Sequence, residues 1–520
     1  AGRGPRGGRP RVDPGRGLRR GGRTTGARCA PAAPGTRALR GSAHAREVST
    51  KLILIVVDGM TPEAFERAVA GGRAPALAEL AARGTYRRAT SVFPSLTPVC
   101  LSSIATGAGP DVHRIPHLVW WHRDERRLVE YGSSFAALRA AGMAQSLTDT
   151  IYNMNQQHLG ADAVTVYEAL HDAGLVTAAV NITCYRGRTQ HLATLPWVTK
   201  PAYGPKRFFY YSLFESDATG APFAVRNRAA GSTDAYAAAV GRWLVTRDGF
   251  DFFAYYLSDF DYASHAHGPE GAEDVALART DAAIEALVAA AGGVDALLER
   301  YAVIVLSDHG QTPVARNAQL ETALSRHADA VVVTASNRAA QVYLLPDARL
   351  DAGTLAQALD GDPSVEVTLR LEGADAVARR GGEELRFRPG PAGWETSGDE
   401  TLLDHPDALR RSWSALGNPN AGELLVSAAA GWEFADLGGR HHGGGGSHGS
   451  LSAGDSIVPL LTVGVDAAPA RNTDVMPAVL SHFGVTHPAY AEPLPACTPD
   501  RQAMVEGQLR LRAALRRRKR

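Results

Sequence analysis

Three apolar runs, each leading to an acidic residue, constrain this chain more than any other feature. Lys51 to Val57 (KLILIVV) runs into Asp58-Gly59, and Asp251 to Leu257 (DFFAYYL) leads to Asp261 with His265 shortly after. Tyr301 to Leu306 (YAVIVL) ends in Ser307-Asp308-His309-Gly310. Each run reads as a buried strand, and open α/β folds keep their active sites at the carboxyl edge of such strands. Aspartate and histidine are metal-ligand types, so strand ends of this kind bring donor atoms to that edge.

Two further segments join them. Between the first and second runs lies Phe93-Pro94-Ser95-Leu96-Thr97-Pro98. Near the far end, Ser447-His448-Gly449 follows the tract Gly438-Gly439-Arg440-His441-His442-Gly443. Thr97 before Pro98 reads as an N-cap with proline at the first helical position, opening a helix through Val99 to Ala105. A helix start offers free N–H groups and partial positive charge, which suit a phosphoryl oxygen and an alkoxide. Plainer readings stand beside these. Thr97 can be a simple cap and Asp58-Gly59 a turn. His309 can be a hydrogen-bonded strand-end residue, His265 a solvated loop residue, and the Gly/His tract a flexible segment. Separately each plain reading suffices; together they leave the joint order of the pieces to accident.

In that order the pieces resemble the nucleotide pyrophosphatase/phosphodiesterase family of the alkaline phosphatase superfamily, over roughly residues 50 to 490. The resemblance implies an α/β, alkaline-phosphatase-like layered fold with a central, mostly parallel sheet and an inserted lobe. It implies two divalent cations, zinc by preference. One would be held by Asp58, Thr97, Asp308 and His309, the other by Asp261, His265 and His448. Asp259 and His267 flank the Asp261/His265 pair, but the phrase Tyr256 to Asp261, followed by His265 and Gly268-Pro269, fits the family spacing best with Asp261. Thr97 would then be the nucleophile of a metal-dependent phosphoric ester hydrolase, most simply a phosphodiesterase, working through a phosphothreonine that water releases. The alternatives are a phosphomonoesterase and a catalytically silent metal-binding relative. The implied partner is a small-molecule phosphoric ester.

The chain also departs from the pattern. Many members carry lysine before the nucleophile and asparagine three positions after it, where this chain has Leu96 and Cys100. The family's phosphate-contacting asparagine falls near His117-Leu118, with no asparagine there. Asn153, Asn155 and Asn181 are candidates for that contact, as well as for caps and turns. Trp120 and Trp121 suit either a stacking wall or the core. Sulfatases build their nucleophile from Cys or Ser in a Cys/Ser-x-Pro-x-Arg pattern; Thr97, Val99 and Leu101 occupy those places, and Cys100 is off register.

Composition sets the remaining bounds. With 45% hydrophobic and 21% charged residues this is an ordinary globular chain, and a net charge of +1 gives no argument for a nucleic-acid partner. Residues 1–48 are rich in Arg, Gly and Pro and are expected to be a disordered tail; 506–520 form a basic tail. Residues 49–317 and 438–505 read as the catalytic core, and 318–437 as an inserted lobe able to cover the site. Strands are expected at 175–180, 330–334, 340–345 and 457–463, and helices at 272–291 and 355–359. Cys29, Cys100, Cys184 and Cys497 show no metal-ligand spacing and no disulfide framework. The chain opens on Ala1, without the apolar stretch of a signal peptide, and no later run reaches transmembrane length, so a cytoplasmic location is expected.

Overall fold

The three apolar runs lie side by side at the centre of an eight-stranded sheet, with Lys51–Val57 between Phe252–Leu257 and Tyr301–Leu306. All three run parallel, and Thr177–Val180 and Arg207–Tyr210 extend the parallel array. Antiparallel pairings finish it: Phe214–Ser216 on one edge, and on the other Ile457–Val463, which pairs antiparallel with both Tyr301–Leu306 and Thr85–Thr90. The computed structural model describes residues 50–194, 200–216, 232–439 and 441–491, so both expected tails, Cys29 and Cys497 lie outside the described residues.

Continuous apolarity in these strands has a simple cause: both sheet faces are covered. Because side chains alternate along a strand, Ile53, Ile55 and Val57 enter one core, with Phe253, Tyr255, Val303 and Val305. Leu52, Leu54 and Val56 enter the other, with Ala254, Tyr256, Ile304 and Leu306. Helices Pro62–Gly71, Thr233–Arg247 and Leu277–Ala291 cover the first face. Thr97–Thr106, Val166–Asp172 and Val475–His482 cover the second. The expected single helix over 272–291 is instead two, since Ala276 at φ −117° ends one and caps the next.

A second sheet has seven strands, antiparallel throughout, lying between Val331 and Ala428 in sequence. The expected strands are present as Val331–Ser336 and Ala339–Leu344, and the short helix as Ala352–Leu359. Four strands from Val365 to Gly398 were not anticipated. Their outer faces carry Glu and Arg, giving an alternation that is half solvated and lacks a continuous apolar run. Two fully or nearly buried arginines tie this region to the main sheet. Arg338 bonds Asp455 at 2.7 Å, and Arg411 donates to Ser95 Oγ (3.2 Å) and Ser456 Oγ (2.5 Å). Among the described residues, no helix is long and apolar enough to cross a membrane.

Candidate functional site

Strand register decides which polar residues meet. Val57 pairs with Leu257 and Val56 with Leu306, so the first residues after all three strands leave the sheet at one edge. Asp58 follows directly, its amide bonded to Leu257 O at 2.8 Å. After Leu257 the chain enters a helix at Asp259, which puts Asp261 and His265 one turn apart on the same face. Gly268, at φ 77°, and Pro269 break that helix just beyond His265. His448 arrives from the opposite direction, after the short strand Gly446–Ser447 that pairs with Thr312–Pro313.

Thr97 is the first residue of helix Thr97–Thr106, and Leu96 is its N-cap, one position earlier than expected. Leu96 O accepts from both Val99 N and Cys100 N at 2.9 Å, and Pro98 has no N–H. The helix start therefore has few amides left for a ligand, mainly that of Thr97 itself. Cys100 is buried, with Ser91 Oγ 3.3 Å from its sulfur, and takes no place at the site.

The expected residues converge in two groups. Asp58, Asp308 and His309 have donor atoms within 4.8 Å of one another, and so do Asp261, His265 and His448. His309 Nε2 lies 3.2 Å from Asp58 Oδ1 and 3.6 Å from Asp308 Oδ2. Thr97 Oγ1 is 3.1 Å from the same nitrogen. In the second group His265 Nε2 is 3.3 Å from Asp261 Oδ2, and His448 Nε2 is 3.9 Å from Asp261 Oδ1. The groups adjoin, with the His309 and His448 rings stacked at 3.6 Å.

The three imidazoles share one arrangement. Nδ1 of His309 faces Gly310 O at 3.0 Å, that of His265 faces Gly446 O at 2.9 Å, and that of His448 faces Ser95 O at 2.7 Å. A carbonyl only accepts, so each Nδ1 carries a proton and each Nε2 is the nitrogen turned toward the carboxylates. A hydrogen bond from the remote nitrogen to a carbonyl is how metal-binding histidines are usually oriented.

The residues present fit a pair of cations. Asp58 Oδ1 and Asp308 Oδ2 are buried without a hydrogen-bond partner. Both face His309 Nε2, and no lysine or arginine is among the described residues lining the adjoining cavity. Carboxylates gathered this way repel one another unless a positive charge lies among them. Burial, then the charges of Asp261 and Asp308, pushes Asp58 well above the usual carboxylate range. Burial raises Asp308 too. Burial also opposes ionisation of Asp261, but His265 and then His448 outweigh it and hold that carboxyl below its usual range. Burial, reinforced by His309, drives His448 well below the ordinary histidine value.

Supporting residues escaped the sequence analysis. Tyr256, a strand residue, donates its hydroxyl to Asp58 Oδ2, and Gln311 donates to Asp261 Oδ1. Gly59, at φ 68°, sits against Asp261; its amide is 3.4 Å from Asp308 Oδ1. Tyr256 did leave a signal: a phenol in a fully buried strand requires a polar partner. Of the flanking pair, Asp259 accepts from Thr233 Oγ1 (2.8 Å) and Arg279 (3.3 Å), outside both groups, and His267 joins neither.

The site opens into a cavity of about 980 Å³. Its apolar wall comes from Leu118, Phe135, Leu138, Ile151, Met154 and Leu213, while region 318–437 contributes only Asn337 among the described lining residues. Asn153, Asn155 and Asn181 are engaged elsewhere: Asn153 donates to Asp149 at 2.7 Å, Asn155 to Thr183 O at 2.8 Å, and Asn181 Oδ1 accepts from Tyr211 N at 3.0 Å. None of the three lines the cavity. Trp120 is buried in the second core.

The sequence profile of the type I phosphodiesterase / nucleotide pyrophosphatase family matches residues 52–451. The chain belongs to that family. Among solved structures, phosphonoacetate hydrolase from Sinorhizobium meliloti 1021 in complex with phosphonoformate is similar at 20% identity and a TM-score of 0.55, over 85% of this chain and 96% of that one. Murine ectonucleotide pyrophosphatase/phosphodiesterase 5 is similar at 14% identity and a TM-score of 0.55, over 84% and 96%. Its inactive variant in complex with AMP gives 14% and 0.56. These likenesses establish an alkaline-phosphatase-like fold for this phosphodiesterase-family chain.

Proposed function

We propose that this protein hydrolyses phosphoric diesters with two bound divalent cations, using Thr97 as the nucleophile. Asp58, Thr97, Asp308 and His309 would hold one cation, and Asp261, His265 and His448 the other. Oxygen and neutral imidazole donors in these numbers suit zinc. When bound, such a pair neutralises phosphoryl charge and lowers the pKa of an oxygen it holds. The observation that carries the reading is the meeting of six carboxylate and imidazole ligands beside one hydroxyl, with every imidazole Nε2 turned inward.

The chain's own part can be followed atom by atom. Thr97 Oγ1 lies 3.1 Å from His309 Nε2 and lines the cavity, so one cation could take both as ligands. Tyr256 and Gln311 fix the Asp58 and Asp261 carboxylates, and three backbone carbonyls fix the imidazoles. Thr97 gives up its hydroxyl proton to solvent and Oγ attacks phosphorus; the bond to the departing alcohol breaks, and that alcohol leaves with a proton from solvent. Water then cleaves the threonine–phosphorus bond, restoring the hydroxyl and releasing a phosphomonoester. The apolar wall favours a diester over a monoester, because a cavity of about 980 Å³ accommodates an ester arm as well as the phosphoryl group.

The test combines metal analysis with paired chromogenic mono- and diester assays. Two cations per chain, diesterase activity abolished by chelation, and a Thr97→Ala variant with activity down by about 10³-fold or more are expected. Metal binding without turnover of any ester would instead identify a silent relative. Preference for monoesters would overturn the diester assignment.

A further inference from the structure

We propose that Asn337, at the tip of the Val331–Ser336/Ala339–Leu344 hairpin, is the side-chain donor that grips a phosphoryl oxygen. The inference rests on the function proposed above.

The hairpin closes at the Ser336–Ala339 pair, which leaves Asn337 and Arg338 as the turn. Asn337 has φ 57°, a left-handed conformation that asparagine adopts at lower cost than most residues. Its placement does not depend on its own side chain. Arg338 N bonds His448 O at 2.8 Å, Phe434 N bonds Asn337 O at 2.7 Å, and the Arg338 guanidinium is buried against Asp455. The tip is thus fastened to the His448 loop from both sides.

The carboxamide lines the cavity, with Nδ2 3.0 Å from His448 Nε2. His448 Nδ1 carries the ring proton to Ser95 O, so Nε2 is the acceptor and the Asn337 NH₂ the donor. A cation taking the Nε2 lone pair would leave that N–H without its acceptor, in a residue only 9% exposed. An unsatisfied buried donor costs about 1–3 kcal/mol. A phosphoryl oxygen drawn to the same cation would satisfy it. The helix start offers little beyond the Thr97 amide, and Asn153, Asn155 and Asn181 do not line the cavity.

The test uses the full chain reconstituted with zinc, wild type beside Asn337→Gly and Asn337→Asp. Glycine keeps the left-handed turn without a side chain; aspartate keeps its shape but exchanges donor for acceptor. Three quantities are read: cation content, the Kd for inorganic phosphate by calorimetry, and kcat/KM on a diester. Both variants are expected to retain two cations while phosphate affinity and kcat/KM fall about ten- to hundredfold, the loss of a hydrogen bond to a charged group. Phosphate affinity within about twofold of wild type in either variant would overturn the inference. So would a loss of bound cation, which would make Asn337 a support for His448 only. Wild-type protein that binds two cations but hydrolyses no ester defeats the functional reading and this inference together, whereas active wild type with an unaltered Asn337→Gly defeats the inference alone.

Discussion

Gly59 is the position where one added methyl group tests the whole site. Its φ of 68° is left-handed, and a Cβ built there would stand 2.8 Å from Asp261 Oδ1, 3.0 Å from Asp261 Cβ and 3.2 Å from Asp261 Cα. Two costs follow for Gly59→Ala. The backbone conformation alone costs roughly 1–2 kcal/mol for a residue with a Cβ. The contact adds a displacement: Asp261 must retreat by about half an ångström to reach ordinary van der Waals distance. Because Asp261 Cα is in the way as well as its carboxylate, rotating the side chain cannot relieve the clash, and the first turn of its helix has to shift. Misplacement of about 1 Å in a reacting array costs on the order of 10²-fold in rate, so kcat/KM for a diester should fall roughly ten- to hundredfold. Cation content should drop at the group formed by Asp261, His265 and His448, while the group formed by Asp58, Asp308 and His309 is less affected. The assays are metal analysis, steady-state kinetics and denaturant unfolding on the same preparations. A Gly59→Ala protein with two cations and wild-type kcat/KM would refute the claim that Asp261 is held against this turn to serve as a ligand.

Acid should destabilise the protein for a reason outside the site. Burial lowers His113 to about 3, and His117, His158 and His191 to about 4. In the unfolded chain these groups titrate near 6.5, so the stability they protect is present above that pH and is lost as pH falls toward their folded values. Each costs roughly 2 kcal/mol by pH 5. A His117→Gln variant should therefore show a shallower fall of the denaturation midpoint between pH 7 and 5, and an equally steep fall would contradict the assignment. Arg338→Met leaves the Asp455 carboxylate buried without its guanidinium, for an expected loss of about 3–5 kcal/mol, part of which Asp455→Asn should restore. Denaturant unfolding of the single and double variants measures this, and a single-variant loss below about 1 kcal/mol would show that the ion pair is not what fastens the hairpin to the His448 loop.

The legible parts of the site were those written in short stretches of chain. Asp58, Asp261 and Asp308-His309 each stand at or just past the end of an apolar strand, and Asp261 and His265 have a spacing that a helix turns onto one face. Less legible were features that depend on two distant segments meeting. Asn337 is reached only because a hairpin tip is clamped beside His448, and Gly59 matters only because Asp261 packs over it. The helix cap shifted from Thr97 to Leu96, a local detail that depends on which carbonyl the first amides find.

The sequence by itself determined the layered α/β core and the set of donors at its carboxyl edge, because strand burial and alternation are properties of consecutive residues. Tertiary structure alone decided how those donors face one another. It turned His265 and His448 by carbonyls from other segments, drew the cavity wall from the 131–154 region as well as from neighbouring loops, and left region 318–437 to supply Asn337 and the buried Arg338 and Arg411. The physical reason is that hydrogen bonds and close contacts between remote segments are fixed by strand register and packing, and neither leaves a periodicity in the chain.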